Sequence, residues 1–339
     1  MKHWQQYNLE ERLQILDITS AEKGLPRLAV EKDWWVVMVL KALSQTQYAS
    51  FMSFKGGTSL SKGWSLIERF SEDIDVALKR EGRFAISGTS NTQLAKARRT
   101  VRHYIVRELP EELADALSAL GVSDFTVEPE INKSKDGEQH ELRADTHPSV
   151  IYVNYKSVIE ETSEYLLPRV KIEISCLSMD EPVEEKTIRS FISETVPEAE
   201  DIAVNFNTVI PTRTFLEKLF LLHEEFQKDK PRSYRMSRHL YDLEKIMDTP
   251  FGKDALADKT LYDEIVKHRS IFNRMSFVDY ASHAPATVFF IPSEDVKPDW
   301  EDDYNALTEH FLYYNDIKLS FNGLMNRMKE LLERVRGME

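Results

Sequence analysis

Asp73 and Asp75 stand two residues apart and run directly into Val76-Ala77-Leu78. On a strand, positions i and i+2 point to the same side. Two carboxylates held there repel unless a cation lies between them, and hard oxygen ligands suit Mg²⁺. Upstream, Phe51-Met52-Ser53-Phe54 reads as a short strand that ends at Gly56-Gly57, with Thr58-Ser59 next. A helix starting at such a turn exposes backbone N–H groups where phosphate binds well. Glycine lets a ligand approach the backbone closely, and the Thr58 and Ser59 hydroxyls add donors. Each feature alone has a bland reading: a tight turn with a Thr cap, a solvated strand edge. In succession they describe a phosphate cradle beside a metal site.

Other residues could contribute. Glu173 sits between Ile172 and Ile174 on a predicted buried strand, where a carboxylate needs a partner. Alternation also allows it to face solvent. Glu160, Glu161 and Glu164 read as a solvated charge run. Lys218 shares a helical stripe with Phe215 and Leu222. A lysine amid apolar neighbours either snorkels to water or is held for a ligand. Arg238 and Asp242, at i and i+4, fit a surface ion pair as well as a site. Residues 91–109 read as a basic helix, with Lys96, Arg99, His103 and Arg107 along one stripe and Arg98 and Arg102 beside it. No acid falls between Gly82 and Arg107. That stripe is either a solvated face or a phosphate-tracking surface for RNA. The single Cys176 reads as a small core residue, and the nine histidines show no metal-ligand spacing.

Lys55-Gly56-Gly57-Thr58-Ser59-Leu60 with Arg69-Phe70-Ser71-Glu72-Asp73-Ile74-Asp75 strongly resembles the AbiEii/AbiGii toxin family of the nucleotidyltransferase superfamily. Glu31-Lys32-Asp33-Trp34-Trp35 is similar to the family's lead-in helix. The resemblance implies an α+β fold: a polymerase β-like mixed-sheet domain followed by a helical C-terminal domain. It implies Asp73 and Asp75 as ligands of two Mg²⁺ ions. It lifts Glu173 above the other glutamates as third metal ligand. It implies nucleotide binding by Lys55, Gly56, Gly57, Thr58, Ser59 and Lys218, and a catalytic set of Asp73, Asp75, Glu173, Lys218 and Asp242. Gly57-Thr58 stands where such enzymes carry Gly-Ser, and Arg238-His239 where Lys-Asp is common, leaving the roles of His239 and Arg238 open. The implied activity is transfer of NMP from an NTP to an acceptor hydroxyl, by a toxin of a toxin–antitoxin or phage-defence system. The implied acceptor is the tRNA 3′ end and the implied partner a separately encoded antitoxin. A protein acceptor, and a non-catalytic nucleotide-binding module on the same scaffold, are the alternatives.

The elements that must position these groups follow from pattern. Asn8 and Glu11 form a capping box for a first helix that Gly24-Leu25-Pro26 stops, and a second helix spans about Ala29 to Ser44. A third begins at the glycine turn, with Leu60, Trp64 and Ile67 on one face. Strands are predicted at 74–78, 125–127, 150–153, 170–174 and 202–206. Helices follow at 215–228, capped by Thr214 and Glu217, then from Met236 to Met247, at 259–270 and at 304–334. The expected division is 1–210, the nucleotidyltransferase domain, and 211–339, the helical domain.

A chain of 339 residues with 42 % hydrophobic residues suits two globular domains. Its net charge of −13 argues against general coating of DNA. Residues 51–110 nevertheless hold eleven Lys/Arg against six Asp/Glu, and residues 111–210 hold eight against twenty-two. The N-terminus has no apolar signal segment, and the longest apolar run, Trp34 to Leu40, is far short of a membrane span. With one cysteine, a reducing cytoplasmic setting is the expectation.

Overall fold

The computed structural model describes residues 2–135, 138–161, 166–179, 182–313 and 318–338. The chain divides into two compact units, Met1–Gly63 with Phe70–Val209, and Trp64–Arg69 with Ile210–Glu339. The fold is mixed α+β: among the described residues all strands lie in the first unit, and the second unit is helical.

The first unit opens with α1 (Leu9–Lys23), whose Asn8 and Glu11 make the predicted reciprocal cap and whose end is turned by Gly24 at φ 66. Next is α2 (Arg27–Leu43). Trp34 to Leu40 are almost fully buried, so the longest apolar run is a core helix. It packs on α1 and the sheet. Then come β1 (Met52–Lys55), the short α3 (Gly56–Thr58) and β2 (Ile74–Leu78). Two helices follow, α4 (Asn91–Arg107) and α5 (Leu109–Ala119), the second started by Pro110 and absent from the sequence reading. The remaining elements are β3 (Phe125–Pro129), β4 (Asn132–Lys135), β5 (Glu138–Glu141), β6 (Ser149–Tyr155), β7 (Arg169–Ser175), β8 (Val183–Arg189), α6 (Phe191–Thr195) and β9 (Ala203–Val209).

Among the described residues, seven strands form one mixed sheet in the order β3-β6-β7-β2-β1-β9-β8. β2 runs parallel to β7 and antiparallel to β1. On β7 the burial alternates: Val170, Ile172 and Ile174 are buried, while Arg169, Lys171, Glu173 and Ser175 are half-exposed on the other face. Glu173 is therefore not a core carboxylate. It lies on the half-open face.

The second unit holds α7 (Pro211–Glu225), α8 (Ser237–Met247), α9 (Pro250–Ala257), α10 (Lys259–Phe272), α11 (Lys297–His310) and α12 (Phe321–Arg336). α7 starts at Pro211, four residues ahead of the predicted start; Thr214 lies inside it, about one turn too late to cap. The helix expected over 304–334 is two helices, α11 and α12; residues 314–317 of that span lie outside the described residues. Phe215, Leu216, Leu219 and Phe220 of α7 share the core with Leu240, Leu243 and Ile246 of α8. The stretch Trp64–Arg69 belongs to this unit. Trp64 packs edge-on to Phe251, and the Glu68 carbonyl accepts from the Tyr313 N–H at 2.9 Å. The predicted third helix consequently ends at Gly63, where the chain leaves the first unit; Ile67 is not on its face.

Candidate active site

The register of the sheet assembles one row of side chains. Lys55 of β1 is paired with Asp75 of β2, and Asp75 with Glu173 of β7. Partners in register share a face, so a lysine and two carboxylates lie side by side across three strands. Asp73 lies one residue ahead of β2 and, like Asp75, is half-exposed, with the buried Ile74 between them. Gly56 adopts φ +78, a conformation that suits glycine. A Cβ there would fall 1.9 Å from Asp75 Oδ2, so the Asp75 carboxylate occupies the space a side chain would fill.

The turn is tied to this row by its hydroxyls. Thr58 Oγ1 donates to the Asp73 carbonyl at 2.5 Å and lies 3.0 Å from Ser71 Oγ; Ser59 Oγ donates to the Gly56 carbonyl at 2.9 Å. Both hydroxyls brace the turn from within, and the Ser59 N–H is bonded to the Gly56 carbonyl as well.

Lys171 forms an ion pair with Glu173 on the same strand. Burial pulls the Lys171 ammonium down, but Glu173 and Asp73 outweigh it and hold the pKa above the ordinary value. No three His, Cys, Asp or Glu side chains among the described residues gather closely enough to hold a metal as they stand. The donor chemistry nevertheless suits Mg²⁺: Asp75 and Glu173 are in register on adjacent strands, Asp73 lies just ahead of β2, and Gly56 leaves Asp75 room.

Beneath the site, α2 carries Glu31, Lys32 and Asp33, all almost fully buried. Lys32 pairs with Glu72, the neighbour of Asp73, and donates to the Leu167 carbonyl at 3.0 Å. Asp33 accepts from Lys62 at 2.6 Å and from the Phe191 N–H at 2.7 Å. Glu31 accepts from the Val158 N–H at 2.9 Å. One turn of α2 thus grips both the Asp73 loop and the end of the glycine turn. Sequence reasoning passed over these roles. The signal was there: three adjacent charges lead into the most apolar run, and buried charges must be paired.

The second unit has its own charged cluster. Asp242 is fully buried and accepts from Arg69 through two bonds of 2.7 and 2.8 Å and from Lys218 at 2.8 Å. It is a buried hub and not half of a surface pair with Arg238. Lys218, 7 % exposed, is neither a snorkelling residue nor a bare charge. Burial opposes ionisation of Asp242, yet Arg69 and Lys218 hold its carboxyl well below the usual range. Burial pulls the Lys218 ammonium down, with Asp242 opposing and Arg69 assisting. His239 is buried beside them; burial first, then Lys218 and Arg238, hold it neutral. Its Nδ1 has no hydrogen-bond partner among the described residues. Arg69 was missed from sequence because its partner lies 173 residues away.

On α4, Lys96, Arg99, His103 and Arg107 are exposed, while Arg102 is buried and donates to the Glu130 carbonyl at 3.0 Å. Cys176 is buried. Glu160 and Glu161 are exposed; Glu164 lies outside the described residues. Among the described residues no helix is long and apolar enough to cross a membrane.

A mixed sheet bearing paired aspartates beside a glycine turn, followed by helices, is the arrangement of a nucleotidyltransferase. Residues 39–332 match the sequence model of the nucleotidyl transferase AbiEii toxin family, described as a type IV toxin–antitoxin system, and the chain belongs to that family. Among solved structures, it is similar to MenT4, a nucleotidyltransferase toxin from Mycobacterium tuberculosis H37Rv, with a TM-score of 0.53 and 15 % identity over 97 % of this chain and 90 % of that one. At that identity the likeness is one of fold. No curated protein matches the chain.

Proposed function

We propose that the chain transfers NMP from an NTP to an acceptor hydroxyl, with Asp73, Asp75 and Glu173 holding two Mg²⁺ ions. The observation that supports this best is the row Lys55–Asp75–Glu173 with Gly56 set against the Asp75 carboxylate. Bound magnesium would supply neutralisation of triphosphate charge and polarisation of the acceptor hydroxyl. The chain's own share is placement. Lys55 and the N–H groups of Gly56, Gly57 and Thr58 hold phosphate oxygens, with Ser59 bracing the turn beside them. Glu173 takes the proton of the acceptor hydroxyl, whose oxygen attacks the α-phosphorus in line as pyrophosphate leaves. Lys218 binds the nucleotide's phosphates, and Asp242, in contact with Lys218, sets its position.

The acceptor we favour is the tRNA 3′ end, with a separately encoded antitoxin restraining the activity, in toxin–antitoxin pairing or phage defence. The exposed Lys96, Arg99 and Arg107 support an RNA acceptor over a protein one. Incubating the protein with each labelled NTP, Mg²⁺ and total cell extract, then digesting with RNase or protease, tests both claims. Label that RNase removes and protease spares is the expected result. Label that survives RNase and yields to protease transfers the reading to protein hydroxyls. No incorporation from any NTP leaves a non-catalytic nucleotide-binding module.

A further inference from the structure

β7 continues past Glu173 to Ser175, which projects to the same face two residues on. There a second polar cluster begins, of which the reaction above uses Lys55 alone. Ser175 Oγ lies 3.2 Å from His147 Nε2 and accepts from Ser178 Oγ at 3.3 Å; Ser178 Oγ in turn accepts from Lys55 Nζ at 3.4 Å. Cys176 Sγ is 3.8 Å from His147 Nδ1. The cluster is half-open: His147, Ser175, Lys55 and Arg98 each keep part of their surface in solvent.

Its field is positive. Burial, then Arg98 and Lys55, lower the His147 pKa to about 4, so the ring is neutral at pH 7. The Cys176 thiol is pushed up to about 12 by burial, against Arg98 and Arg80. The charged side chains acting on both groups are all cations. Lys55 has Asp75 in register. Arg98 is different. It makes no ion pair among the described residues, and its Nε is buried without a hydrogen-bond partner. Its own helix offers no acid, since none falls between Gly82 and Arg107. A buried donor left unmade is costly, and a guanidinium fork fits phosphate oxygens in pairs.

The geometry points to a phosphate-binding site formed by Arg98, His147, Ser175 and Ser178, which takes a backbone phosphate of the RNA acceptor. This rests on the nucleotidyl-transfer reading for its purpose but not for its chemistry. The sheet order separates it from the backbone donors of the glycine turn, and Lys55, which donates to Ser178, is the link between the two. The glycine turn follows β1, on one side of β2; Ser175 ends β7, on the other side, and His147 leads into β6 beyond it. Phosphate held here stands next to Glu173, the carboxylate assigned to the acceptor hydroxyl. The exposed stripe of α4 adds attraction over a distance, whereas Arg98 and His147 fix a position.

Full-length Arg98→Gln and His147→Gln proteins test this with two probes. A fluorescent single-stranded oligoribonucleotide is titrated by anisotropy across a range of salt, and inorganic tripolyphosphate by calorimetry. Arg98→Gln should weaken RNA binding about tenfold and flatten the log–log salt slope by about 0.7, one single-strand phosphate contact. His147→Gln should weaken it less, and tripolyphosphate affinity should hold. Unchanged RNA binding at a wild-type melting temperature overturns the site. Loss of tripolyphosphate affinity overturns it as well, because the residues then belong to the nucleotide. Should Arg98→Gln misfold, Arg98→Lys keeps the charge without the fork, and RNA binding equal to wild type would reject the site. Failure of this inference differs from failure of the proposed function: Arg98-dependent RNA binding with no NMP transfer sinks only the latter.

Discussion

Asp73 and Asp75 are half-exposed carboxylates, with Gly56 opposite Asp75. Asp73→Ala or Asp75→Ala should therefore abolish nucleotide transfer, a loss of several kcal/mol in transition-state stabilisation, and leave the melting temperature near wild type. Full activity in either variant would remove that residue from the metal set. Asp242 differs in kind. Replacing it with Asn strands Arg69 and Lys218, both buried, and should cost about 3–5 kcal/mol. Lys218→Met leaves Asp242 its two bonds to Arg69, so the expected cost is about 1–3 kcal/mol, with a raised KM for NTP. Thermal melts and NTP kinetics on both variants decide the matter. A larger loss of stability for Lys218→Met than for Asp242→Asn would refute Asp242 as the hub.

α2 joins two roles in one element. Its apolar residues build the core, and Lys32 and Asp33 hold the two loops of the site from below. Lys32→Met keeps the stem and frees Glu72; Asp33→Asn removes the charge that answers Lys62. Each should lower kcat more than it raises the KM for NTP, because the loops lose their aim while the donors stay. Loss of stability with kcat unchanged would make these pairs structural only. In α7, His223 is fully buried and faces Ser282 at 2.9 Å and the Phe289 carbonyl at 3.0 Å. Burial, then His283, lower its pKa from 6.5 to about 4, with Glu224 and Asp279 opposing. A folded pKa below the unfolded one means the stabilisation is complete above pH 6.5 and fades as pH falls towards 4. His223→Gln should be less stable at pH 7 and show a shallower decline over that interval. An identical decline would locate the acid sensitivity elsewhere.

At the scale of the molecule, the helical unit is not a contiguous stretch of chain. Trp64–Arg69 supplies the ring against Phe251, the Glu68 backbone bonds to Tyr241 and Tyr313, and the guanidinium on Asp242. A fragment of residues 211–339 lacks all of these and keeps Asp242 with one cation. It should show poor near-ultraviolet ellipticity and a broad, early thermal transition. A cooperative transition at the temperature of the full chain would show that the segment contributes nothing.

The local signals were written in the sequence because they are short-range. Asn8 with Glu11 capped α1, alternation marked β2 and β7, and the spacing of Asp73 and Asp75 announced paired carboxylates. The family was legible for the same reason, since the two blocks of its motif, Lys55–Leu60 and Arg69–Asp75, lie close together in the chain. The weak strand β8, with Glu184, Glu185 and Lys186 in its middle, was not legible, because its pairing with β9 and not its composition makes it a strand. Nor could periodicity show that the helix after the glycine turn stops at Gly63: Leu60, Trp64 and Ile67 keep helical spacing, but Trp64 onward packs in the other unit. Register across strands 98 residues apart set Asp75 beside Glu173, and contact across 173 residues chose Arg69 for Asp242. Sequence settled which groups can ionise or accept phosphate. Tertiary structure settled which of them share a face, and which are buried deeply enough that each charge must have a partner.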